Sequence, residues 1–145
     1  RHLEAVLGSG IALALSALLF GVLHLGNPNA SWTAALAIAV EAGVLLGALY
    51  MLTRRLWAAI GMHAGWNFTQ GWLYGLPVSG MRDDGLVDGV LDGPVWLTGG
   101  AFGLEASVLA MVMATAAGAL VLRLAIARGH WVRPMWAGTI IQTKL

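Results

Sequence analysis

Apolar residues run almost unbroken through four stretches of this chain, at roughly 5–25, 33–52, 56–76 and 104–127. Each approaches the about 20 residues that an α-helix needs to cross a hydrocarbon core. None alternates with period two over any length, which argues against a membrane β-barrel. The pattern predicts an all-α, polytopic transmembrane helix bundle of about four spans, built as one domain over residues 1–145.

Polar punctuation orders these spans. GNPNAS separates the first two and reads as a turn, with Ser31 placed to cap the second helix. Thr53-Arg54-Arg55 is a very tight basic joint that makes the second and third spans antiparallel neighbours. Residues 77–103 form a long Gly-rich loop carrying Asp83, Asp84, Asp88 and Asp92. Toward the other terminus Arg123, Arg128, Arg133 and Lys144 interleave with Trp131 and Trp136. Alternate threading collects Arg1, Arg54, Arg55 and the basic tail on one side, leaving only Arg82 on the other. The positive-inside rule then expects a multi-pass cell-membrane protein with its basic loops and tail cytoplasmic.

Composition fixes the solvent. Hydrophobic residues make up 59 % and charged residues 10 %, against about 25 % charged in an ordinary soluble domain. So little polar surface cannot cover a globule, and the lipid bilayer is the expected partner. The net charge of +1 comes without a basic run, which excludes nucleic acid as a partner. The absence of cysteine excludes disulfides, thiolate zinc sites and a cysteine nucleophile. Twenty Gly and seven Trp suit close-packed membrane helices with interfacial anchors. The chain opens on Arg1 rather than Met, so a piece of a longer protein is expected.

Ionisable residues inside membrane spans point to function by default. Here they are His24, Glu41 and His63, with Asn67 beside them and Glu105 near a helix start. His24 closes FGVLH, where it could equally be an interfacial histidine bonded to a loop carbonyl, with Phe20 one turn earlier shaping the wall beside it. His63 and Asn67 fall in HAGWN at i and i+4, on one helix face. They could tie helices together, or converge with His24 in one pocket. Such a pocket could move a proton, stabilise an oxyanion, or bind a divalent metal such as zinc through His24 and His63 with a carboxylate as third ligand. Each route to hydrolysis needs a carboxylate. Glu41 is the one acid deep in a span, as a structural carboxyl or a catalytic one. Glu4 lies 20 residues before His24, about 30 Å along a continuous helix, too far to serve.

FGVLH and LWAAIGMHAGWNF, joined by the intervening helix, resemble the CPBP family of intramembrane endopeptidases, which includes CAAX prenyl proteases and bacteriocin-processing enzymes. That family carries EExxxR, FxxxH and HxxxN in order. Phe20 and His24 match the second motif, and His63 and Asn67 the third; NFTQGWLYGLPVSG and WLTGGAFGLEAS are also similar to bacterial members. EExxxR does not occur in residues 1–145, so the resemblance places the paired glutamates upstream and implies that the chain as given is inactive. It further implies that a glutamate and His24 activate water while His63 and Asn67 stabilise the oxyanion; the metal-free version is preferred, with a divalent metal such as zinc on His24 and His63 as the alternative. The substrate class would be a membrane-anchored, prenylated or otherwise hydrophobic peptide or protein. Two rival expectations stand beside this one. One is a non-catalytic scaffold or partner-binding, immunity-type subunit whose polar residues only pack helices. The other is a small-solute carrier coupled to protons through Glu41, which four spans without an evident repeat disfavour.

Overall fold

A computed structural model describes residues 1–82 and 84–137; Asp83 and Lys144 lie outside the described residues. Helix α1 runs His2–Leu23 and ends in a 3-10 turn, His24–Gly26. Helix α2 spans Trp32–Thr53, with a π turn at Ala39–Gly43 in its middle. Helix α3 covers Leu56–Asn67 and continues as a second π turn, Phe68–Leu73. A single turn, α4, occupies Val95–Thr98, and α5 runs Val108–Ala127. No strand forms among the described residues beyond an isolated bridge between Val78 and Met81.

The all-α membrane bundle is thus as the apolar pattern predicts, with two adjustments. Among the described residues, three helices rather than four are long and apolar enough to cross a membrane: His2–Gly26, Trp32–Thr53 and Val108–Ala127. In the expected third span, His63, Asn67, Thr69 and Gln70 interrupt the apolar run. The last span begins at Val108 rather than 104, because Leu104–Ala106 is a 3-10 turn. Ser107 then sits extended as the N-cap, its hydroxyl accepting from the Ala110 N–H at 3.1 Å. Ser31 caps α2 in the same way, through Ala34 N–H at 3.1 Å.

Helix α2 is the axis of the bundle; α1, α3 and α5 pack around it. Small residues permit the close crossing with α1. A Cβ on Gly21 would lie 2.3 Å from Ala35 O, and one on Gly43 2.7 Å from Ala17 Cα. Helices with small facing residues approach until their backbones touch, which is how membrane bundles gain dispersion energy without a hydrophobic drive. The α2–α3 joint is as tight as its sequence suggests. Arg54 adopts the left-handed conformation (φ 57°, ψ 20°) and Arg55 is extended, reversing the chain in two residues.

Polar contacts gather at the two ends. At the basic end, Gly8 breaks α1 with φ 77° and ψ 165°. Glu4 there accepts from both Arg54 Nη atoms (2.9 and 2.7 Å) and from Ser9 Oγ (2.8 Å). That bonding holds the Arg54 guanidinium above its ordinary, already high, value, so it stays charged at any working pH. The backbone N–H and hydroxyl of Ser9 pair with Val132, bringing the C-terminal segment to the same end. At the opposite end Asn29 Nδ2 donates to Gly80 O (3.4 Å), and Gly80 N–H donates to Phe102 O (2.6 Å). GNPNAS and the loop 77–103 therefore share an end, as alternate threading requires.

Candidate active site

The apolar wall of α1 turns polar at its last residue. His24 forms the C-cap of α1, and its Nδ1 lies 2.6 Å from Phe20 O. A carbonyl oxygen can only accept, so Nδ1 carries the proton and Nε2 is left with its lone pair. The histidine is therefore a helix-end residue bonded to a carbonyl, though the carbonyl belongs to its own helix. It also lines a cavity, and the two roles are compatible because they use different nitrogens.

His63 and Asn67 sit on α3 at the expected i, i+4 spacing, and Asn67 Nδ2 lies 3.4 Å from His63 Nε2. That is long for a hydrogen bond, so a ligand can compete for either group. Phe20 joins the two halves. Its ring centroid is 4.6 Å from that of His24, tilted by 55°, and 5.4 Å from that of His63, edge-on at 74°. Such tilted and edge-to-face contacts suit the aromatic quadrupole. They place both imidazoles at one level of the bundle, although His24 caps the end of its helix and His63 lies within the length of its own.

The partly open cavity here measures about 50 Å³, and its polar lining is His24, His63, Asn67, Glu41, Glu105 and Ser79. This is room enough for water. The three residues predicted from sequence are thus brought together, and the two carboxylates join them. Glu41 projects from the π turn of α2 and is 2 % exposed. Its Oε2 has no hydrogen-bond partner. Glu105 is equally buried but saturated: it accepts from the backbone N–H of Ser79 and from Gln70 Nε2. Gln70 Nε2 also donates to Pro77 O at 2.5 Å. Glu105 and Gln70 therefore pin the start of the loop 77–103 over the cavity.

Gln70 and Ser79 were not singled out by sequence. Gln70 follows Asn67 by three residues in NFTQ and could have been suspected from that spacing; nothing local marks Ser79. Glu4 is excluded from this site by its bonding to Arg54 at the basic end. There it lines a separate hollow of about 830 Å³, which shares only Phe20 and Leu46 with the smaller cavity.

Among the described residues no group of three His, Asp, Glu or Cys side chains stands close enough to hold a metal ion. His24 and His63 alone offer two nitrogens, one short of the three protein ligands usual in catalytic zinc sites. These residues do not fit a metal centre, and no chemical step is derived through one.

A family model described as Type II CAAX prenyl endopeptidase Rce1-like matches residues 1–69. No curated protein and no solved structure matches the chain. The matched segment contains Phe20, His24, Glu41, His63 and Asn67 and stops before Gln70, Ser79 and Glu105.

Proposed function

We propose, from the match of residues 1–69 to the model described as Type II CAAX prenyl endopeptidase Rce1-like, that the chain is of that family and that its cavity hydrolyses peptide bonds of membrane-anchored, prenyl-bearing substrates. The observation that carries this reading is the convergence of His24, His63 and Asn67 on one water-sized cavity around Phe20.

The chemistry follows from the available atoms. His24 Nε2, free because Nδ1–H is bonded to Phe20 O, accepts a proton from a cavity water. The water oxygen attacks the scissile carbonyl carbon. Charge then develops on the carbonyl oxygen, and the N–H groups of His63 and Asn67 donate to it. Preorganised donors stabilise that charge without having to reorient as it develops. A site between helices also suits a substrate whose cleavable bond sits close to a lipid anchor. With Arg1, Arg54, Arg55, Arg128 and Arg133 gathered on the basic side, we assign that side to the cytoplasm.

Cleavage of a farnesylated peptide by the full protein in detergent micelles tests the reading. Asn67→Ala and His63→Ala should each lower kcat by about 10²–10³-fold, the usual cost of one oxyanion donor. His24→Ala should lose at least as much. Wild-type rates in all three variants would leave a non-catalytic membrane subunit as the better description.

A further inference from the structure

We propose that Glu41 is the proton-delivering carboxyl of this cavity, protonating the nitrogen of the leaving amine as the peptide bond breaks. The inference rests on the hydrolytic reading above and assigns protonation of the leaving amine to a carboxyl other than the histidine that takes the proton of the attacking water.

The contrast between two buried glutamates carries it. Glu105 is 5 % exposed and has both carboxylate oxygens engaged, by Ser79 N–H and Gln70 Nε2. It acts as a clamp, each oxygen held by its own donor. Glu41 is 2 % exposed, lines the same cavity, and keeps Oε2 without a partner. A purely structural carboxyl buried between membrane helices should find bonds for both oxygens, since an unmet polar atom in that setting is costly. A carboxyl that lines the cavity with an oxygen left unbonded is instead a place where a proton can be held and released. The backbone points the same way. Glu41 is the middle residue of the π turn Ala39–Gly43, and π turns insert a residue that re-aims side chains, frequently at functional sites.

The proton inventory closes. Attack transfers one water proton to His24 Nε2 and forms a C–O bond at the carbonyl carbon, giving the oxyanion. As the carbonyl re-forms, the C–N bond breaks with its electron pair going to nitrogen. The protonated Glu41 carboxyl gives its proton to that nitrogen, releasing a neutral amine and a carboxylic acid. The proton on His24 then passes through cavity water to the Glu41 carboxylate, and both groups return to their starting forms.

A leaving-group comparison on the full protein tests this. An amine must be protonated to depart, whereas nitrophenolate leaves unaided. One probe is a prenylated peptide and the other the matching prenylated nitrophenyl ester. For Glu41→Gln, which keeps shape and loses the transferable proton, peptide cleavage should fall at least about a hundredfold, within the range of general acid catalysis. Ester cleavage should fall by less than tenfold, and the alkaline limb of the peptide kcat–pH profile should disappear. Glu41→Asp should recover part of the peptide rate. Because the two rates are compared within one variant, a smaller folded fraction cancels. Equal loss on both probes, or loss on neither, overturns the inference. If His24→Ala and His63→Ala cleave both probes like the wild type, or the wild type cleaves neither, the hydrolytic reading itself falls.

Discussion

Phe20 touches an imidazole on either side, which gives an apolar residue a direct hold on the geometry of the proposed chemistry. Phe20→Leu keeps the hydrophobic volume and removes the ring edge and face that orient His24 and His63. We expect kcat on a prenylated peptide to fall about tenfold, corresponding to about 1.4 kcal/mol of transition-state stabilisation, with KM little changed. Steady-state cleavage kinetics measure this. At this scale the sequence was informative where spacing carries the message. FGVLH and HAGWN each put two functional groups one helical turn apart, and the helix delivers them. Gln70 and Ser79 were not legible, because their importance comes from meeting Glu105 across 35 and 26 residues. Glu41 stood out as an acid in an apolar run. Its exposure to the cavity could not be read, because a π turn shifts the facing of the helix by one residue without a compositional mark.

The elements owe their arrangement to small residues more than to any amphipathic stripe. Ala17 and Gly21 on α1 meet Ala35, Ala39 and Gly43 on α2 at four-residue spacing, and backbone approaches side chain directly. The abundance of glycine predicted close packing in general. It could not say which glycines face a neighbour, since Gly61 and Gly65 on α3 have open space around them. Gly43→Val should force α1 and α2 apart and lower stability by about 1–3 kcal/mol, the usual cost of overpacking. Gly65→Ala should cost nothing measurable. Thermal unfolding of the two variants in detergent, followed by circular dichroism, separates them. The same crossing holds Glu41 between its flanking contacts, so Gly43→Val should also reduce cleavage beyond the loss of folded protein.

Across the whole molecule the two ends are fastened differently. The basic end is closed by charge and hydrogen bonds, with Glu4 joining Arg54 and Ser9, and Ser9 joining Val132. The other end is closed largely by backbone bonds from the loop, including Leu86, Val87 and Gly89 N–H to Trp72, Leu73 and Tyr74 O. Arg54→Ala strands a nearly buried carboxylate. Removing one partner of a fully buried pair costs about 3–5 kcal/mol, but Arg54 is 34 % exposed, and solvent screening reduces the expected loss to about 1–2 kcal/mol. Arg82→Ala, which breaks a 3.6 Å pair between exposed side chains, should leave the unfolding temperature unchanged. Alternate threading of charge predicted which segments meet at each end. It did not anticipate that α3 would lie outermost against α2, because its polar residues turn inward only where the cavity exists. Phe20 and Leu46 are all that the small polar cavity and the large hollow at the basic end have in common. Both side chains therefore border two spaces of very different size, one that fits little more than water and one that fits a hydrocarbon chain. Shrinking Phe20 to alanine would widen both at once and remove the ring against which the two imidazoles rest.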